Sequence, residues 1–455
     1  MSASGRLVKE LITGLDQMPS WPRVRFILET LKQGGYPAYL VGGAVRDLML
    51  GQVPVDADVL TSATPDDLSG LFPDQTVRHV GKSFGITLVD GVEVAGCRPV
   101  CTPNGKSGKG FPEKDLGRRD LTVNSMALDL FSGSLVDPFG GQADLAGRRI
   151  RFTQDPLDRI KEDPLRMVRA CRFAGQLDGS IEKKSLDAIR CQGHVLADGI
   201  APERIRAELL KAMVMARPSR FFTHLHQTGL LGQILPCLDQ CHDLDGGPYH
   251  GETVFEHCLL VGDALPAGQP LLRLAGFLHD VGKFDAAIVK DGHLSFAGHE
   301  THDTAIARDL DQLRFSRQET GYILSLVRAH MRPLTHDTTP KAVRRLLAML
   351  GDLNLDYRDF LRLRIADKKG NLAKSPYTLS EIRVRLAKIL AEHAPENAFH
   401  INDLALTGRE ICNLLAIGPG PRVGRIKQHL FEQVLADPSL NTPAHLARLI
   451  RNFKP

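Results

Sequence analysis

The sequence has no long apolar run. Nothing in it reaches the roughly 18 consecutive apolar residues of a membrane span, and the opening MSASGRLVKELITGLDQM lacks the hydrophobic core of a secretory signal. A cytoplasmic chain without membrane contact is expected. Paired cysteines are also missing. The eight cysteines stand singly or as Cys97…Cys101 and Cys237…Cys241, without the CxxC pairs and histidine partners of a zinc ribbon. Reduced, mostly buried thiols follow from that usage. Charge of one sign is scarce: 57 Lys and Arg against 53 Asp and Glu leave a formal +4, a weak hint of a polyanionic partner. No repeat or low-complexity segment is visible, and nothing in the pattern calls for an obligate protein partner.

What is present organises the 455 residues into three or four domains. Residues 38–61 read as strand (AYLVGG), helix (AVRDLMLG) and strand (DADVLT), which makes residues 1–150 an α/β head. Within it, CTPNGKSGKGFPEKDLG at 101–117 has no apolar period and reads as a loop. Apolar positions then recur at three- and four-residue spacing, as in LRMVRACRFAGQL. They give a helical neck over 151–245, ended by the turn-rich HDLDGGPYH. A histidine-laden helical region follows over 246–375, and a further helical region, broken by IGPGPRVG, over 376–455.

The segment LVGGAVRDLMLGQVPVDADVLT at 40–61 is the most informative. Gly42 and Gly43 let backbone approach a triphosphate at a helix start, and Arg46 lies one turn on as a phosphate ligand. Asp56 and Asp58, one residue apart on an expected strand, point to one face. Two such carboxylates can hold two Mg²⁺ ions for in-line displacement at phosphorus. A lone DxD is more often a solvated strand end or turn than a metal site; the GG-x(12)-DxD arrangement is far less accidental.

These residues resemble the class II tRNA nucleotidyltransferase and bacterial poly(A) polymerase family. RRDLTVNSMALD at 118–129, EDPLRMVRACRFA at 162–174 and PERIRAELLKAM at 202–213 agree with it, in the family's order. The resemblance implies an α+β chain: a polymerase-β-like nucleotidyltransferase head with a mixed sheet and helices, then mostly helical neck, HD and C-terminal domains. It also implies that Arg119, Asp120 and Asn124 contact the triphosphate and ribose of an incoming nucleotide. An exposed basic turn is their bland alternative. Glu93 is the positional candidate for a third carboxylate. The loop before Arg118 is short, and family members restricted to adding CC have a curtailed loop in this region.

In the neck, Asp163 and Arg166 lie three apart in a helical pattern and so share a face. Cytosine and adenine each present an amino donor beside a ring-nitrogen acceptor, whereas uracil and guanine present a carbonyl beside an N–H. A carboxylate with a guanidinium therefore fits C and A and opposes U and G. Asp163-Pro164 also reads as an N-cap followed by proline at the first helical position; similarity to the family's EDxxR template motif favours base selection. Arg169 and Arg172 continue the basic face, with triphosphate or tRNA contact expected of Arg169. Glu203 and Arg206 read as braces of the neck.

Farther on, His257, His279-Asp280, His299, His330 and Asp367 form an ordered H…HD…H…H…D series. Imidazole and carboxylate ligands suit a Mn, Ni, Fe, Mg or Zn ion that activates water on a phosphate ester. A lone helical histidine is usually a packed or surface residue, but five stations including HDVGK are hard to assign to packing. The series resembles HD-superfamily phosphohydrolases. Lys283 could assist with phosphate, and 2′,3′-cyclic phosphate or phosphate at RNA ends would suit a 3′-end polymerase. IGPGPRVGRIK offers Arg422, Arg425 and Lys427 near a helix start, either for a nucleic-acid backbone or as a plain inter-helix turn.

The sequence thus points to template-independent CCA addition to the tRNA 3′ end from CTP and ATP, with Mg²⁺ in the head and a divalent metal, with Ni, Mn or Fe as candidates, in the HD region. CC-only, A-only and poly(A) addition are rivals within the class. From another class, an HD phosphodiesterase signalling protein is opposed by EDPLR and PERIR, and a degenerate RNA-binding protein by two intact ligand sets.

Overall fold

A computed structural model describes residues 15–80, 86–95, 111–393 and 400–451. The short loop before Arg118 that bears on CC-only addition falls largely outside them, as do Cys97 and Cys101. The chain divides into two compact units, one within residues 1–200 together with 223–230, the other 201–222 with 231–455. The stretch expected as one neck is shared between them.

The first unit is built on a seven-stranded mixed sheet in the order β3-β4-β5-β2-β1-β6-β7. Its strands are β1 (Ala38–Val41), β2 (Asp58–Thr61), β3 (Val77–Val80), β4 (Ile86–Val89), β5 (Val92–Ala95), β6 (Ala127–Asp129) and β7 (Ser134–Val136). Only β2 and β5 pair in parallel, with Val59 opposite Val94; the other neighbours are antiparallel. That parallel pair needs a crossover, supplied by helix Pro65–Leu71, which opens on a Thr64/Asp67 capping box, and by the β3-β4 hairpin. Helix Trp21–Gln33 buries Trp21, Val24, Ile27, Leu28 and Leu31, one stripe at helical spacing. The expected strand over 56–61 is shorter than its pattern: β2 begins at Asp58, so Asp56 lies in the approach to it. Past residue 155 the chain is mostly helical as expected, apart from a two-residue parallel bridge of Arg149–Ile150 with Ser180–Ile181 and an antiparallel hairpin of Ile288–Lys290 with His293–Ser295.

The second unit is mostly helical. Arg273, 2 % exposed, donates to the carbonyls of Met213 (2.8 Å), Met215 (2.6 Å) and Ala216 (3.1 Å). It satisfies the end of helix Pro202–Met213, which ties 201–222 to this unit. Arg206 bonds Glu319 (2.5 Å) and stacks on Phe315 (4.8 Å), the bracing role its sequence suggested. Farther along, Ile411, Ile426, Leu430, Leu446 and Ile450 form a buried cluster. Arg344 donates to the Leu435 and Ala436 carbonyls and so closes helix Pro421–Ala436. Among the described residues no helix is long and apolar enough to cross a membrane. Cys171, Cys237, Cys241 and Cys258 are buried free thiols, whereas Cys191 is exposed.

Candidate functional site

In the first unit, the register of β1 with β2 sets Asp58 opposite Val41, one residue before Gly42. Gly42 has φ 71°, and a Cβ there would stand 2.7 Å from Arg119 Nη1 and 3.7 Å from Asp58 Oδ2. The positive φ favours glycine here, and the missing Cβ leaves the Arg119 guanidinium its place beside the turn. Burial pushes the Asp58 carboxyl up to about 6, the charges of Glu93 and Asp56 add to that, and Arg119 opposes it. A carboxylate crowded by two others is a donor set whose mutual repulsion a divalent cation relieves. Asp56 and Glu93 are exposed. Glu93 arrives from β5, the parallel neighbour of β2.

Arg46, Asn124 and Asp120 lie deeper than their expected nucleotide-contact role suggests, at 6–7 % exposure. Arg46 Nη1 donates to Asn124 Oδ1 (2.7 Å), its Nε and Nη2 to Asp47 (2.9 and 2.7 Å), and Asn124 Nδ2 to Asp120 (3.4 Å). Arg169 Nε reaches the other Asp120 oxygen at 2.6 Å. Burial alone would raise the Asp120 carboxyl, yet the Arg169 charge and bond, with the Leu121 N–H, hold it below the usual range. Arg46, Arg169 and Arg172 all flank the Phe173 ring. This chain of bonds joins helix Gly43–Met49 to helix Leu165–Gln176.

Asp163 is not inside a helix. It stands in the break between helices Pro156–Glu162 and Leu165–Gln176, where its Oδ1 accepts from Leu165 N at 3.2 Å. Contrary to the expected helical face, a turn relates Asp163 to Arg166, whose N–H donates to the Asp163 carbonyl (3.1 Å). The Arg166 guanidinium donates to Glu162 (2.7 Å) and to the carbonyls of Arg159 (3.1 Å) and Arg118 (2.9 Å).

In the second unit all six residues of the histidine and aspartate series converge, from five separate stations. His257 sits on helix Val254–Ala264, His279 and His330 at the C-caps of Pro270–Leu278 and Arg317–Ala329, His299 on a 3₁₀ turn and Asp367 on Tyr357–Gly370. Gly282 of HDVGK is what lets the His299 turn close in, since a Cβ there would fall 2.2 Å from the His299 carbonyl oxygen. Asp280 is the hub: Oδ1 lies 3.0 Å from His299 Nε2 and 3.3 Å from His330 Nε2, Oδ2 3.5 Å from His279 Nε2 and 3.6 Å from His257 Nε2. Asp367 Oδ1 is 3.3 Å from His257 Nε2, and Lys283 Nζ is 2.7 Å from Asp280.

Three of the histidines turn Nδ1 to a backbone carbonyl, of Gly276, Phe296 and Val327 at 2.8, 2.9 and 2.6 Å. The fourth, His257, turns it to Glu252 at 3.0 Å. With Nδ1 so occupied, every Nε2 faces the cluster. His279 Nε2 is buried without a hydrogen-bond partner, an orphan acceptor that a further ligand would satisfy. Burial pushes His279 down to about 3; at His257 burial is overridden by Asp367 and Glu252, which push it up to about 9. The donor set fits a divalent metal with nitrogen and oxygen ligands. His250 and Glu252 join His257 in a further group of ligating atoms. Sequence reading missed both, because they lie in a turn-rich break with no period. At the C-terminal region, Arg422 and Arg425 are exposed in the first turns of helix Pro421–Ala436, and Lys427 bonds Asn402 (3.2 Å).

Residues 38–151 match the Poly A polymerase head domain, 180–241 the probable RNA and SrmB-binding site of polymerase A, and 249–393 the HD domain. The chain is 33% identical over 414 residues, 87% of its length and 91% of the relative's, to an A-adding tRNA nucleotidyltransferase of Deinococcus radiodurans. A multifunctional CCA protein of Chromobacterium violaceum is 31% identical, with 77% and 90% covered. The fold is that of the Bacillus stearothermophilus CCA-adding enzyme solved with CTP, at TM-score 0.67 and 23% identity over 96% and 98% of the two chains. A head domain, an RNA-binding region and an HD domain thus follow one another along the chain, and the chain belongs to the tRNA nucleotidyltransferase and poly(A) polymerase family, with an HD domain fused behind its head and neck.

Proposed function

We propose that this protein adds C and A to the 3′ end of tRNA from CTP and ATP, acting in the cytoplasm. The observation that carries the reading is Asp58 at a strand end, crowded by Asp56 and Glu93 and faced by Gly42 and Arg119. Mg²⁺ held by these carboxylates would supply charge neutralisation at the attacking and leaving oxygens. Gly42 and Gly43 let the triphosphate approach the backbone, and Arg119 and Arg169 carry positive charge to it. Arg46, Asp120 and Asn124 hold Arg169 and the glycine turn in register. Asp163 and Arg166 select the base, Arg166 exchanging some of its present carbonyl and Glu162 bonds for the ring nitrogen. The division of labour is a head over 1–150, a selecting neck over 151–245, an HD domain over 246–375 and a tRNA-binding region over 376–455, where Arg422, Arg425 and Lys427 meet the RNA backbone.

In the HD centre His257, His279, Asp280, His299, His330 and Asp367 would hold a divalent transition metal, with Ni, Mn and Fe the candidates. That metal would activate water for hydrolysis of phosphate esters. A-only addition is the second reading, favoured by the A-adding relative that spans 87% of the chain. Labelled CTP and ATP offered with tRNA lacking CCA, CA or only A decide between them: label from both nucleotides on the first substrate supports full CCA addition. ATP label on the last substrate alone establishes the rival.

A further inference from the structure

The four imidazoles of the HD centre find acceptors for Nδ1 in two different ways. His279 and His330 close helices and His299 opens a 3₁₀ turn, so each reaches the carbonyl three residues back, at or beyond the end of a helix ladder. His257 has no such carbonyl. It is the fourth residue of helix Val254–Ala264, where the carbonyl three residues back is committed to the helix itself. Its acceptor comes from outside the helix, from Glu252, whose side chain is buried. Glu252 Oε1 lies 3.0 Å from His257 Nδ1 and 2.8 Å from His250 Nδ1, and Oε2 accepts from the N–H groups of Gly251 (2.9 Å) and Leu372 (3.0 Å). Leu372 lies just past the end of helix Tyr357–Gly370, which carries Asp367. One carboxylate thus touches the supports of two expected ligands, His257 and Asp367, whose facing atoms stand 3.3 Å apart. Burial alone would raise the Glu252 carboxyl, yet the His257 and His250 contacts, with the Leu372 and Gly251 N–H groups, hold it down to about 2. His250 and Glu252 do not read as a second ion site, because Oε1 is shared by two ring nitrogens and His250 Nε2 faces the Lys283 ammonium at 3.3 Å.

We propose that Glu252 is a positioning residue of the HD centre: it keeps a proton on His257 Nδ1, so that the Nε2 lone pair is left for a metal, and it fixes the end of the Asp367 helix to the same point. A histidine whose second nitrogen is bound to a carboxylate is oriented and is also a stronger donor. The other three histidines lean on neutral carbonyls, so His257 is the one whose strength as a ligand depends on a side chain. The proposal rests on the reading of this centre as a metal site and adds how one of its ligands is held.

Glu252→Ala removes the acceptor, and Glu252→Gln keeps its shape while removing the charge. Full-length wild type and both variants are stripped with chelator and given excess Mg²⁺ for the head. Co²⁺ is then titrated by calorimetry, and proton NMR in water records the exchangeable imidazole N–H signals that the bound ion shifts. The candidate donors of the head are carboxylates, so these signals report on the HD centre. In Glu252→Ala one of them should vanish, its proton no longer held against exchange with water, while the others remain. The dissociation constant for Co²⁺ should rise by about 10- to 100-fold, the usual cost of losing such a partner, with Glu252→Gln in between. The same signals, with a dissociation constant within about twofold of wild type, overturn the proposal even where the melting temperature falls, because Glu252 would then only pack. Loss of one whole equivalent of Co²⁺ with the remainder held as tightly also overturns it, since Glu252 would then be a ligand. If Glu252→Ala does not fold, Glu252→Gln decides by the same two readouts. Wild type that binds no Co²⁺ overturns the metal reading and the proposal together, whereas wild type that binds it and variants that match it overturn the proposal alone.

Discussion

Asp58 and His279 each sit among acidic neighbours, and burial works on them in opposite senses. In the head, burial and crowding carboxylates raise Asp58 to about 6, so its negative charge is costly until a cation neutralises it. In the HD centre burial lowers His279 to about 3, so a base is held neutral with its lone pair aimed inward. The head offers oxygen donors, two of them exposed, that suit a hard, hydrated ion arriving with each substrate. The HD centre offers four oriented imidazoles in the interior, which suit a resident metal of higher nitrogen affinity. The two candidate metal sites thus differ in kind: crowded carboxylates in the head, and in the HD domain four imidazoles of which burial lowers His279 while neighbouring carboxylates raise His257 and His299.

The largest effect should come from Asp58→Ala. Losing a carboxylate that positions the metals forfeits several kcal/mol of transition-state stabilisation, about a thousandfold in nucleotide incorporation. Binding of tRNA, measured by filter retention, should persist because the phosphate-contacting surface is untouched. Near-normal turnover would break the comparison at the head.

His279→Ala with Asp280→Ala tests the other half. Hydrolysis of 2′,3′-cyclic AMP should fall by at least about a hundredfold, while nucleotide incorporation stays within about threefold, as for independent sites. In chelator-stripped wild type, Mg²⁺ alone should restore incorporation, and a transition metal should be required for hydrolysis. If one ion restores both activities equally, the contrast between the two donor sets has no functional meaning.

A smaller change is expected at the turn between the neck helices. Asp163→Ala removes the acceptor that opposes U and G, so discrimination against UTP, read as a ratio of kcat/KM values, should relax by about 10- to 100-fold. Should selectivity hold while thermal stability falls, the bond to Leu165 N is the residue's whole role.

The smallest effect is one of stability. Arg169→Met leaves Asp120 buried against only neutral donors and should cost about 2 kcal/mol, a figure reduced for the partial exposure of Arg169. Because the folded-state pKa of Asp120 is depressed, the pair's contribution is present above the unfolded value of about 3.9. It is lost as pH falls through the lower, folded value. Denaturant melts of wild type and variant should therefore differ at pH 7 and converge in strong acid; a constant difference would assign the loss to packing beside Phe173.

The glycine turn, the DxD pair and the HD series were legible because each is a short string whose chemistry depends on spacing along the chain. Glu93 was legible only as a position, since its approach to Asp58 depends on the parallel pairing of β5 with β2 across some thirty intervening residues. His250 and Glu252 were not legible at all, because turns carry no period to weigh a side chain against. The helix expected through Asp163 failed for a local reason: Pro164 disfavours helical backbone in the residue before it, and the chain breaks there before resuming at Leu165.

By itself the sequence determined the order of the regions, the glycines that admit close backbone approach and the ligand types of both centres, all of which follow from residue identity and near-neighbour spacing. Tertiary structure decided which of these groups lie open and which are buried against one another. Arg46, Asp120 and Asn124 have the composition of a nucleotide site, yet burial turns them toward one another. An interior charge must find its partner in the fold, and no spacing along the chain says which partner that is.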